Sequence, residues 1–131
     1  MQVWVNGTFD ILHIGHLELF SYASTFGKLR VGIDSDSRVR KLKGYNRPIN
    51  NQENRKKFLE SIKFIDSVVV FNDDTELINN IKDWNTEIFV IGSDYMNKKI
   101  IGSEFCKQVI FFDRLLEFST TKIIERCSKL P

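Results

Sequence analysis

Five short apolar runs constrain this chain more than anything else in it. They are "VWV" (3–5), "LRVGI" (29–33), "SVVVF" (67–71), "EIFVIG" (87–92) and "QVIFF" (108–112). Each is rich in β-branched residues and lacks a polar alternation, as expected of strands buried on both faces in a parallel sheet. Between them the apolar spacing changes to near 3.6. Residues 14–26 carry Leu17, Leu19, Phe20, Ala23 and Phe26, and residues 51–63 carry Phe58, Leu59 and Ile62. Residues 75–84 carry Leu77, Ile78, Ile81 and Trp84 behind a "DDT" cap, and 119–128 opens with "STT". Strand alternating with helix predicts an α/β fold around a parallel sheet. "GYNRPINN" (44–51) is the clearest loop, and Pro48 is the only proline before the last residue, so one domain over 1–131 is expected.

Charge and cysteine usage narrow the function classes. With 19 basic against 17 acidic residues the net charge is +2, which gives no support to nucleic-acid or polybasic membrane binding. Basic residues still cluster locally at Arg38, Arg40, Lys41, Lys43 and Arg47. Cys106 and Cys127 form no framework and no CxxC pair, so a reducing cytoplasm is expected. No signal peptide is visible, and no apolar run approaches the roughly 18 residues of a membrane span.

Both histidines of the chain, His13 and His16, fall in "VNGTFDILHIGHLELF" (5–20), just after the first strand. In a parallel α/β sheet, ligands sit beyond the carboxyl ends of strands. Gly7 lets backbone approach a ligand closely. The following helix is expected to start near Gly15 or His16, with unpaired N–H groups and a positive dipole end suited to phosphate. An i, i+3 pair of imidazoles there can face one way, hold a polyphosphate and stabilise charge on a leaving pyrophosphate. Two alternatives are an ordinary structural histidine and a zinc site. The latter would need further ligands from Asp or Cys.

"GTFDILHIGH" resembles the signature GTFDxxHxGH of the cytidylyltransferase-like nucleotidyltransferases, and the resemblance covers nearly the whole chain. It implies a Rossmann-like three-layer sandwich with a five-stranded parallel sheet. It also implies transfer of a nucleoside monophosphate from an NTP to a phosphorylated small molecule, with Mg²⁺ accompanying the NTP. Gly7, Thr8, Phe9, His13 and His16 would then contact the triphosphate. "SDSRVRKLKG" (35–44) is similar to the family's basic stretch, with Lys41 and Lys43 closing on phosphates; a solvated helix face is the alternative. In "NRPINNQENRKKFL" (46–59), Arg55 stands where the family has an arginine, whose fork could hold two phosphate oxygens. Arg47 is read as ordering the loop. Asp94 in "VIGSDY" resembles the family's acidic residue near ribose or metal, with a plain turn as the alternative. "RLLEFSTTKII" (114–124) supplies Arg114, then Ser119, Thr120 and Thr121 as phosphate-binding hydroxyls and amides or as an ordinary cap. Asp10 is expected to order its loop.

The substrate reading divides. "SDSRVRKLKGYNRPIN" is similar to the heptose-1-phosphate adenylyltransferase type. Ile91 and Arg114 match the glycerol-3-phosphate cytidylyltransferase type, whereas the heptose type usually has a lysine at the former and no arginine at the latter. The preference is for CMP transfer from CTP to a phosphorylated alcohol or sugar. The alternatives are AMP transfer from ATP to a sugar 1-phosphate, or a nucleotide-binding sensor without turnover. The resemblance also allows a homodimer.

Overall fold

The computed structural model describes residues 1–93, 97–113 and 120–130. Five strands, β1 (Gln2–Gly7), β2 (Lys28–Asp34), β3 (Ser67–Phe71), β4 (Ile88–Gly92) and β5 (Gln108–Phe112), pair in parallel in the order β3-β2-β1-β4-β5. The helices are α1 (Ile14–Ser24), α2 (Asp36–Lys43), α3 (Gln52–Glu60), α4 (Asp74–Asp83) and α5 (Thr120–Ser128). All five apolar runs form strands; β1 and β2 extend beyond their runs at both ends, and β4 starts one residue later, after Glu87. α1 and α3 are shorter than their apolar periodicity suggests, and α4 keeps its expected length one residue earlier. In α1, for example, the Thr25 N–H turns back onto the carbonyls of Tyr22 and Ala23 and closes the helix.

Alternate residues of the central strands feed two separate cores, which makes the architecture three-layered. Val3 and Val5 pack with Phe20 of α1 and Leu59 of α3 on one face. Trp4 points to the other face, against Phe71, Phe89 and the α4 residues Leu77 and Ile81. Trp4 is fully buried, and truncation of such a side chain to alanine costs about 3–5 kcal/mol. Its ring lies so close to β2 that a Cβ on Gly32 would collide with the indole. The α4 cap reads as the sequence predicts, with the Asp73 carboxylate accepting from the Glu76 N–H. Among the described residues, no helix is long and apolar enough to cross a membrane.

Candidate active site

The site begins where two strands stop pairing. β1 pairs with β2 from Gln2↔Lys28 to Gly7↔Ile33. Its pairing with β4 is confined to Val3↔Ile88 and Trp4↔Phe89. This is the switch point of the sheet, where consecutive crossovers leave in opposite directions and a crevice forms beyond the carboxyl ends. A cleft of about 350 Å³ occupies it, lined by Asn6 and Gly7 from β1 and by Val90, Ile91 and Gly92 from β4.

The turn after β1 carries the first part of the signature. Phe9 adopts φ of 51°, a left-handed backbone that costs a non-glycine residue about 1–3 kcal/mol. Packing holds it there. Its ring meets His16 edge-on at 5.3 Å and Phe20 at 5.0 Å. Gly7 makes room, since a Cβ there would lie 3.1 Å from the Phe9 ring. The Thr8 hydroxyl donates to Asp34 at 2.9 Å. Asp10, 2 % exposed, accepts the backbone N–H groups of Ile49 and Asn50 and the Asn50 amide, which ties the turn to the loop before α3 as expected.

The two imidazoles together cap the start of α1. The helix begins at Ile14, with His13 as the cap: its Nδ1 accepts from Gly15 N–H at 3.1 Å. The Nδ1 of His16 accepts from His13 N–H at 3.2 Å. The helix start is therefore not the bare set of amides expected from the sequence, because imidazole nitrogens already engage two of those N–H groups. Both rings accept at Nδ1, so in the neutral state both carry their proton at Nε2. The rings stack with centroids 3.8 Å apart. His16, buried, lines the cleft, whereas His13 stacks on it and is not part of the lining.

Arg55 corrects the expectation of a phosphate fork. It is 1 % exposed and is not part of the cleft lining. Its Nε donates to the Asn50 carbonyl, Nη1 to the carbonyls of Thr8 and Asp34, and Nη2 to the Asp36 carboxylate at 2.8 Å. A buried guanidinium must be paired and hydrogen-bonded, and protein groups meet that demand here. The arginine joins the β1 turn, the end of β2 and the loop before α3.

The opposite wall is basic. Lys43, at the end of α2, lines the cleft, and Lys41 is exposed on the same helix outside the lining. Three further polar groups of the wall escaped sequence reasoning: Arg38, Asp34 and Lys99. Arg38 is clamped by Asp34 and Asp74, each at 2.9 Å. Burial lowers its pKa, but hydrogen bonds to Asp74 and Asp34 outweigh burial and hold it above its ordinary value. The basic run that holds Arg38 was the available signal. Thr121 of α5 also reaches the cleft. Asp94, Arg114 and Ser119 lie outside the described residues. Thr120 is the first residue of α5, and its side chain lies outside them too. Among the described residues, no group of three or more His, Cys, Asp or Glu could hold a metal ion.

Comparison with known proteins places the chain among relatives. The cytidylyltransferase-like family matches residues 4–126. The bifunctional protein HldE of Campylobacter fetus is 46% identical over 126 residues, covering 95% of this chain and 27% of that protein. HldE of Helicobacter pylori (strain Shi470) is 46% identical over 132 residues, covering 97% of this chain and 27% of that protein. The chain thus spans about a quarter of the length of these relatives. The crystal structure of a lipopolysaccharide core biosynthesis protein from Thermoplasma volcanium superposes with a TM-score of 0.69 at 23% identity, covering 85% of this chain and 95% of that one. A protein of unknown function from Archaeoglobus fulgidus does so at 0.66 and 19%, covering 93% and 96%. These two likenesses establish the Rossmann-like fold alone. With the family match running over nearly the whole chain, the protein belongs to the cytidylyltransferase-like family of nucleotidyltransferases.

Proposed function

We propose that this chain is an adenylyltransferase that moves AMP from ATP onto the phosphate of a sugar 1-phosphate of the heptose class, releasing pyrophosphate. The observation that carries the choice is the 46% identity to an HldE protein across 95% of the chain. The resemblance of residues 35–50 to the heptose-1-phosphate adenylyltransferase type points the same way. This reading replaces the preference for CTP, which rested on Ile91 and Arg114. Transfer of CMP to glycerol 3-phosphate is the second reading, and those two residues are what favour it.

The reaction needs no covalent enzyme intermediate. A phosphate oxygen of the acceptor attacks the α-phosphorus in line, the bond from that phosphorus to the bridging oxygen breaks, and pyrophosphate departs with the electron pair. Catalysis then consists of positioning two polyanions and balancing the charge that gathers between them. The Gly7–Phe9 turn gives the triphosphate a close backbone approach. His16 donates from Nε2 to a phosphate oxygen, and His13 holds that ring by stacking and by their shared cap. Lys43 and, on closure, Lys41 add positive charge from the opposite wall. Asp94, Arg114, Ser119, Thr120 and Thr121 complete the phosphate and ribose contacts. Arg55 is a positioning residue for the turn.

Family members generally use Mg²⁺ with the NTP. Both oxygens of Asp34 and of Asp10 are engaged by protein donors, so the residues fit an ion carried mainly by the nucleotide phosphates. When bound, it would shield charge on the leaving pyrophosphate. The reading includes one nucleotidyltransferase domain over residues 1–131, a cytoplasmic setting and room for a homodimer.

Pyrophosphate release separates the readings. The protein is incubated with Mg²⁺, with ATP or CTP, and with a heptose 1-phosphate or glycerol 3-phosphate. Release from ATP with the sugar phosphate is expected. Release confined to CTP with glycerol 3-phosphate would restore the second reading. Nucleotide binding without release from any pair would leave a sensor.

A further inference from the structure

Beyond Arg47, next to the cleft, lies a second and shallower hollow. Its volume is about 270 Å³ and its lining includes Asp36, Arg40, Tyr45, Asn50 and Asn54. That volume stands just below the roughly 300–1,000 Å³ of most small-molecule sites. Among the described residues, Arg47 is the one common to both linings. Its Nε is buried and, among the described residues, has no hydrogen-bond partner. Buried donors in native proteins are nearly always satisfied, by protein, water or ligand. A guanidinium is permanently charged, and its fork matches the geometry of a phosphate.

The two hollows differ in chemistry. The cleft offers Phe89, Ile91, Ile100 and Ile101, surfaces suited to a flat base. The side hollow is walled mainly by amide and charged groups, which suit hydroxyls. Its frame is fixed to the turn after β1: Asn50 donates to Asp10, and both the Asn50 carbonyl and the Asp36 carboxylate accept from Arg55. The hollow therefore keeps a set position relative to His16.

We infer that the side hollow is the acceptor subsite. Arg47 grips the acceptor phosphate at the boundary with the cleft, and the polar hollow receives the polyhydroxyl body attached to it. The inference rests on the reading of the chain as a sugar-phosphate nucleotidyltransferase and assigns that reaction a specificity-determining residue.

Calorimetric titration tests it directly, with a heptose 1-phosphate, inorganic phosphate and ATP–Mg²⁺ as separate ligands. Arg47→Gln is expected to weaken the sugar phosphate at least tenfold and to leave ATP within twofold. Arg47→Lys, which keeps the charge and loses the fork, should fall between. Asn54→Ala should weaken the sugar phosphate at least threefold while inorganic phosphate is unchanged. If Arg47→Gln does not fold, as judged by its melting, the other two variants carry the test. Wild-type affinity for the sugar phosphate in all folded variants overturns the inference. So does a parallel loss of ATP and sugar phosphate, or a wild-type protein that binds no sugar phosphate. If the wild type releases no pyrophosphate from either nucleotide, yet its sugar-phosphate affinity still depends on Arg47, the transfer reading fails and the subsite stands.

Discussion

The two walls of the cleft are built on opposite plans. On the β1 side, Thr8, Asp10, His13, His16 and Arg55 all bond to protein partners, and Phe9 is locked in a left-handed backbone by its neighbours. On the α2 side, Lys41, Leu42, Lys43, Gly44 and Tyr45 are exposed. Gly44 ends that helix at φ of 98°, and among the described residues no atom beyond its chain neighbours lies within 4 Å of where a Cβ would stand. The first wall is fixed before any ligand arrives, as electrostatic stabilisation of a transition state requires. The second is held at its start, where Asp34 and Asp74 clamp Arg38, and is exposed at its end.

Arg55→Met is the harshest test of the fixed wall. It removes four donors from three backbone carbonyls and Asp36, and breaking a buried pair of this kind costs about 3–5 kcal/mol. Denaturant unfolding should show that loss, and turnover should fall with it. Lost turnover at wild-type stability would return Arg55 to the phosphate. His16→Ala should separate fold from chemistry. Removal of the Nδ1 cap costs about 1 kcal/mol, while loss of a charge-stabilising donor lowers kcat roughly 10²–10³-fold. A full-rate variant would remove the imidazole from the mechanism. Lys43→Ala should have the least effect on the fold: stability within about 0.5 kcal/mol, as for exposed substitutions, and a higher KM for the nucleotide, the increase shrinking in high salt as surface charge is screened. A drop in melting temperature there would show that the end of α2 is also pinned.

Much of this was legible in the sequence, for identifiable reasons. Strand buried on two faces writes itself as a mostly apolar run, as in β1, β2 and β4, and the half-buried edge strands β3 and β5 keep the same composition, so all five were visible. The "GTFDILHIGH" stretch located the site because Gly7, Phe9 and the histidine pair are local in sequence as well as in space. What the sequence hid were partnerships over long separations. Arg55 bonds to Thr8, 47 residues away, and nothing within residues 46–59 says that its fork turns inward rather than towards phosphate. Arg38 likewise lies in a basic run, and only the fold shows Asp74 beside it. Ile91 carries little information on the nucleotide for a plainer reason. It lines the cleft, but its side chain has no donor or acceptor with which to tell one base from another.

The two-rung ladder between β1 and β4 has one more consequence. Because it ends at Trp4 and Phe89, that pair acts as the stop of a zipper and limits how far anything can wedge between the halves of the sheet. The Trp4 indole donates to the Asn6 side chain at 2.8 Å, and Asn6 lines the cleft. A guest reaching the bottom would disturb that contact, so the buried indole is a built-in fluorophore whose emission reports whether the crevice is filled to its full depth.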